Sequence, residues 1–142
     1  MDIKYIMNTG YPYCIAATNI NDVVLMLTKS SHDAIVVLNQ NMLPIGIITE
    51  QDIYEIYSRS DCRSPEFIAS DVIKNKQICI CWEGDDAQIA LSMINDRNLS
   101  FLPVVNNEFC FVGVMAVCDA VISYENVVPF IRDVKFINNS LF

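Results

Sequence analysis

The chain has 142 residues, 53% apolar and 18% charged, which fits one domain or two intimate halves with a sizeable core and is too apolar for disorder. Its formal net charge of −8, with nine scattered cations, argues against nucleic-acid binding, whose affinity comes from clustered Lys and Arg. The longest apolar run, Phe109 to Cys118, spans only ten residues, and Met1-Asp2-Ile3-Lys4 opens neither a signal peptide nor an anchor; the expectation is a cytoplasmic protein that meets no membrane, with its cysteines as free thiols.

In chain order, Tyr13-Cys14-Ile15-Ala16-Ala17 reads as a short strand. Asn19-Ile20-Asn21-Asp22 supplies capping residues ahead of the apolar-rich stretch Val23 to Leu27, which predicts a helix. Ala34 to Leu38 is a continuous apolar run, Asn39-Gln40-Asn41 has turn chemistry, and Leu43 to Ile48 resumes as a strand, so these form a hairpin. Asp52-Ile53-Tyr54-Glu55-Ile56-Tyr57 spaces apolar residues at i, i+3 and i+4 and predicts a second helix. Ser58 to Pro65 is polar and ends in proline, as a linker does.

The same order then recurs. A strand is predicted at Gln77 to Trp82, a cap at Gly84-Asp85-Asp86, and a helix with Ile89, Ala90, Met93 and Ile94 on one face. A hairpin of Phe101 to Val105 and Phe109 to Met115 turns at Asn106-Asn107. Asp86 to Val104 is 18 positions against 15 for Asp22 to Val37, which predicts a first helix about one turn longer in this half. A further helix is expected from Asp119, and Val134-Lys135-Phe136-Ile137 could add a strand to the tail.

The recurrence has a constant offset of 67 residues. Val36-Val37-Leu38-Asn39 and Gly46-Ile47-Ile48-Thr49-Glu50-Gln51-Asp52 are answered by Pro103-Val104-Val105-Asn106 and Gly113-Val114-Met115-Ala116-Val117-Cys118-Asp119. Identical residues stand at Val37/Val104, Asn39/Asn106, Gly46/Gly113 and Asp52/Asp119. A long period present twice is not a solenoid, so each copy must be a small folded unit of strand, helix, strand, strand, helix. The expected division is 1–64 for the first repeat with its N-terminal segment and linker, 65–126 for the second, and 127–142 for the tail.

An apolar-Val-Val-Asn strand, a turn, then Gly-apolar-apolar-Thr-x-x-Asp entering a helix resembles the tandem CBS domain, named for cystathionine beta-synthase, from about Asn8 to Tyr124. The resemblance implies an α/β fold of two CBS repeats related by a pseudo-twofold axis, in a regulatory module that is not an enzyme. It implies an adenosine-containing ligand (AMP, ADP, ATP or S-adenosylmethionine) in the cleft between repeats, no required cofactor, a homodimer formed through the helices that begin at Asp52 and Asp119, and a regulated enzyme or transporter as partner. Ligand binding would shift the relative orientation of the repeats or the dimer contact.

A strand running into a helix presents the helix's first free N–H groups at the junction, which suits phosphate or ribose oxygens, and Thr49 sits there. Asp52 is expected to accept the ribose hydroxyls, with Ile15, Ala16, Ala34, Ile35 and Val36 as walls for adenine. By the resemblance Asp119 matches the ribose acceptor in the second copy, and Ile80, Phe101, Leu102 and Pro103 match the walls. Ala116 replaces the threonine there, and Glu50 places an acid beside the presumed phosphate position, which favours adenosine over triphosphate. Lys74 and Lys76, just before the second copy's first strand, are the candidates to offset that charge.

Other readings of these residues stand beside this one. Thr49-x-x-Asp52 is also a helix capping box, and the module could serve dimerisation or protein interaction without any ligand. Cys79-x-Cys81 alternates with Ile78 and Ile80 as strand packing does, and no second Cys or His pair follows, so no metal site is expected. A thiol enzyme would have to use His32, the only histidine, and no catalytic residue is assigned. Trp82, Tyr54, Tyr57 and Tyr124 read as packing or subunit-contact residues.

Overall fold

The structure, a computed structural model, describes residues 1–59, 66–73 and 77–116. They form a mixed α/β protein with two three-stranded sheets, in two compact units: residues 11–78, and residues 1–10 together with the chain from 79 on.

The first-repeat unit (residues 11–78) runs β1 (Tyr13–Ile15), α1 (Ile20–Lys29), β2 (Ala34–Leu38), β3 (Pro44–Thr49), α2 (Glu50–Arg59) and α3 (Ala69–Ile73). Its sheet has the order β1-β2-β3, parallel then antiparallel, because α1 is a crossover and Asn39 to Leu43 a tight turn. Helix α1 starts where the Asn19 side chain accepts the Asn21 N–H at 2.8 Å, satisfying one of the unpaired donors of the first turn. It buries Ile20, Val23 and Leu27 against Cys14, Ile35, Val37 and Ile48, each such side chain contributing about 1.5–3 kcal/mol by removal from water. In the turn, Asn39 Oδ1 accepts the N–H groups of Asn41 (2.8 Å) and Leu43 (3.1 Å), and Met42 takes a left-handed φ of 66°.

The second-repeat unit repeats this with β4 (Cys81–Trp82), α4 (Ala87–Asp96), β5 (Phe101–Val105) and β6 (Phe111–Ala116), in the order β4-β5-β6. The correspondence reaches single hydrogen bonds. Asp86 caps α4 through the Gln88 N–H at 3.0 Å. Asn106 Oδ1 accepts from Glu108 (2.9 Å) and Cys110 (3.0 Å), and Phe109 takes a φ of 62°. The register slip at Val37/Leu38 recurs at Val104/Val105.

Several expectations are corrected. Helices α1 and α4 are both 10 residues long; the equivalent caps are Asn19 and Asp86, so measuring from Asp22 compared positions that do not correspond. The strand expected over Gln77 to Trp82 narrows to Cys81–Trp82. In the first copy Val36 N–H bonds the Pro12 carbonyl at 3.1 Å, whereas Pro103 has no N–H with which to repeat that bond toward Cys79. Helix α3 was not anticipated, since five residues show no period. The helix from Asp119 and the tail strand at Val134 to Ile137 lie outside the described residues.

The compact units also differ from the division at 64/65, because the segment leading into each repeat packs with the other one. Ala87 N–H bonds the Met1 carbonyl (2.8 Å), Ile3 N–H that of Asp85 (2.8 Å), and Asn8 and Val114 exchange bonds of 2.9 and 3.0 Å. Ile3 is thereby fully buried among Cys81, Ala87, Leu91 and Met115. In the first-repeat unit, Ile20 N–H bonds the Phe67 carbonyl (2.9 Å) and Ala69 N–H that of Thr18 (2.8 Å), and Ile73 packs into the core. These segments correspond at an offset of 66 rather than 67, pairing Ile3 with Ala69 and Met7 with Ile73, so the repeat slips by one residue and the alignment of the motifs does not reach them.

Candidate functional site

In the first-repeat unit β3 passes into α2 without a break. At that junction Thr49 N–H donates to Asp52 Oδ2 at 2.8 Å, the Thr49 hydroxyl donates to the same oxygen at 3.0 Å, and Asp52 N–H donates to Thr49 Oγ1 at 3.2 Å. This is the reciprocal capping box, with both side chains half-buried. The hydroxyl is thus oriented by the carboxylate, and the carboxylate is held by two donors from one residue.

The positive end of α2 is largely compensated from within the chain. Glu50 N–H bonds the Asp33 carbonyl at 3.3 Å and Asp52 N–H is taken by Thr49; Glu50 and Asp52 add two carboxylates to the first turn. Of the N–H groups expected to receive a phosphate, these two are already bonded.

The register decides which wall residues lie beside the junction. Ala34 is directly opposite Thr49, and Val36 opposite Ile47; both are fully buried and share the Thr49 face of the sheet by alternation. Ile35 points to the opposite face, into the core with Val23 and Ile48. Ile15 pairs with Leu38 at the far end of β2, about 13 Å along the strand from Ala34, and Ala16 packs against the helix-side core. The structure therefore brings Thr49, Asp52, Ala34 and Val36 together and leaves Ile15, Ala16 and Ile35 elsewhere.

Near this end Tyr11, which no sequence motif marks, meets His32. Continuing the β1–β2 register back from Tyr13↔Val36 sets Tyr11 alongside Ala34, and the buried Tyr11 ring lies 4.4 Å from that of His32. The only sequence signal for the pair was counting strand register outward from Ala34.

In the second-repeat unit Phe101 pairs with Ala116, Leu102 with Met115 and Pro103 with Val114. Leu102 belongs to the core, Pro103 and Ile80 are buried, and Phe101 is half-buried. Asp119, Lys74 and Lys76 lie outside the described residues. Among the described residues no group of His, Cys, Asp and Glu is arranged to hold a metal ion, and no helix is long and apolar enough to cross a membrane. Burial pushes the Cys14 thiol up to about 11, and burial with the nearby Asp85 charge raises Cys81 further, so neither thiol is a ready nucleophile at neutral pH.

Residues 2–59 match the family model of the CBS domain, and the fold is that of CBS domain pair proteins. Three solved structures illustrate the similarity. The soluble part of a magnesium transporter aligns with a TM-score of 0.72 at 17% identity over 89% of this chain. A CBS domain pair/ACT domain protein from Thermotoga maritima aligns with a TM-score of 0.71 at 13% identity, covering 90% of this chain and 99% of that one. A CBS domain protein from Pyrobaculum aerophilum, complexed with AMP, aligns with a TM-score of 0.71 at 18% identity, covering 84% and 89%. The chain spans 48% of the length of the first of these. No curated protein matches the chain.

Proposed function

We propose that this chain is a regulatory module, not an enzyme, that senses an adenosine-containing ligand at Thr49 and Asp52. The observation that carries the reading is the coupled Thr49–Asp52 pair at the β3–α2 junction, with Ala34 and Val36 on the same side of the sheet. A carboxylate with a fixed orientation is a suitable acceptor for ribose hydroxyls. The AMP complex of a CBS domain protein with this fold supports the ligand class, although fold alone does not specify function. Asp119 would be the acceptor of a second site, weakened by Ala116 in place of threonine. A homodimer acting on an enzyme or transporter in the cytoplasm completes the proposal.

The test is thermal unfolding with adenosine, AMP, ADP, ATP and S-adenosylmethionine, comparing wild type with Asp52→Asn and Asp119→Asn. A ligand at 100 times its dissociation constant stabilises by about 2.7 kcal/mol, several degrees for a chain of this size. The expected outcome is a ligand-induced shift that Asp52→Asn abolishes, measured against that variant's own ligand-free midpoint. One observation favours a second reading, a module for dimerisation or protein interaction: Thr49 and Asp52 already have a structural task as the cap of α2. No shift with any adenosyl compound would select it.

A further inference from the structure

We propose that the second-repeat unit carries a docking surface for an arginine-bearing segment of a partner protein, centred on Trp82 and Phe109. The first repeat provides an internal control. At the common offset, Ile15, Ala16, Thr18, Asn41 and Met42 of the first copy become Trp82, Glu83, Asp85, Glu108 and Phe109 in the second. Two aliphatic side chains have turned aromatic and three neutral ones acidic, all around the same end of the sheet.

Folding does not require these changes. Thr18 Oγ1 accepts the Ile15 N–H at 3.2 Å as Asp85 Oδ2 accepts that of Trp82 at 3.0 Å, so the turn closes with or without a charge. Met42 and Phe109 hold the same left-handed backbone conformation, so the position does not call for a phenyl ring. Phe109 is nonetheless 51% exposed, at a left-handed backbone position that a bulky side chain rarely takes.

The two rings meet edge to face, with centroids 5.7 Å apart and planes at 77°. Two aromatic faces at nearly a right angle leave a corner in which a planar guanidinium can stack on one ring while its N–H groups reach a carboxylate. Arginine fits such a corner better than lysine, being planar and weakly hydrated. Among the described residues no Lys or Arg is ion-paired with Glu83, Asp85 or Glu108; nearby, the Met1 amino group pairs with Asp86. Lys4, whose N–H bonds the Glu83 carbonyl, holds its ammonium 5.2 Å from the Tyr5 ring centre instead. Three carboxylates carried by the turns at this end of the sheet, Glu83 and Asp85 after β4 and Glu108 in the β5–β6 turn, carry more charge than one small cation neutralises and suit successive basic side chains. The net charge of −8 steers such a partner in.

Trp82 is the only tryptophan, so its emission reports on this surface directly. The full chain is titrated at low salt with octa-arginine, a neutral Gly-Ser octapeptide and tetramethylammonium. The expected result is a saturable change in emission with octa-arginine alone. Phe109→Gly, and Glu83→Gln combined with Glu108→Gln, should each weaken binding of labelled octa-arginine about five-fold or more. Glu55→Gln with Glu66→Gln, an equal charge change on the first-repeat unit, should leave it within about two-fold. Phe109→Gly places glycine where the backbone favours it, so a loss of binding is not a loss of folding. Equal weakening by the control pair, peptide binding that leaves Trp82 emission unchanged, absence of peptide binding, or saturation by tetramethylammonium alone would each overturn the proposal.

Discussion

Gly46 and Gly113, the glycines shared by both repeats, have ordinary negative φ angles, so their role is spatial. A Cβ on Gly113 would stand 2.9 Å from the Asn8 carbonyl oxygen and 2.9 Å from Met7 Sδ; one on Gly46 would meet three atoms of Ile73 at 2.7 Å. Asn8 is paired in both directions with Val114 and cannot retreat without breaking that bridge. Gly113→Ala and Gly46→Ala should each lower stability by about 1–3 kcal/mol, as overpacking does, read as a lower urea midpoint; an unchanged midpoint would refute the close approach. Cys14 gives a pH signature. Burial pushes its thiol from the ordinary 9.0 up to about 11, so above pH 9 the unfolded chain releases a proton that the folded chain retains. Its contribution is complete below pH 9 and is lost as pH rises through 11, with a slope of up to about 1.4 kcal/mol per pH unit. The buried Cys81 adds in the same direction, and Cys14→Ala should flatten the decline seen in denaturation at pH 8–11.

At the scale of elements, Pro103 accounts for the shortening of β4 relative to β1. Pro103→Val should restore an amide that bonds toward Cys79, as Val36 does to Pro12. Hydrogen exchange would show it: the amide introduced at position 103 becomes protected, and fast exchange there would refute the explanation. The caps are more independent of context, and Asn19→Ala or Asp86→Ala should each cost about 1 kcal/mol in thermal unfolding. These elements show what the sequence made legible. Asn19, Asn39, Asp86 and Asn106 announce their turns and caps because one side chain closes each by a local hydrogen bond. Strands β2 and β5 were visible as apolar runs for the same local reason. Helix α3 and the 3₁₀ turn at Ile3–Tyr5 gave no signal, since each is held by bonds to distant residues. The Thr49–Asp52 pair was legible as both cap and acceptor, and the structure shows the cap. Which wall residues stand beside it depends on register, which composition does not encode, so the sequence alone does not separate Ile15, Ala16 and Ile35 from Ala34 and Val36.

On the scale of the whole molecule, the compact units cut across the repeats as the alignment draws them. Residues 11–78 form one contiguous unit, while the other needs residues 1–10 as well as the chain from 79 on. A fragment of residues 11–78 should therefore give a cooperative thermal transition by circular dichroism. A fragment of residues 1–64, which lacks α3 and carries a leading segment without its site, should not; the reverse pattern would show that the units are wrongly drawn. In the full chain Ile3→Ala empties a fully buried position and should cost about 2–5 kcal/mol.

That exchange of leading segments also sets an order of events during synthesis. The unit of residues 11–78 is complete while the chain from 79 on is still to be made, so it can close early. Ile3, Ile6 and Met7 have no surface to cover until the strands ending at Ala116 emerge. At roughly 5–20 residues per second those roughly 40 residues take about 2–8 s. During that window these apolar side chains, made before residues 11–78, wait for the surface that shelters them, which makes this short segment a natural handle for a chaperone and a point at which slow translation would expose the chain to aggregation.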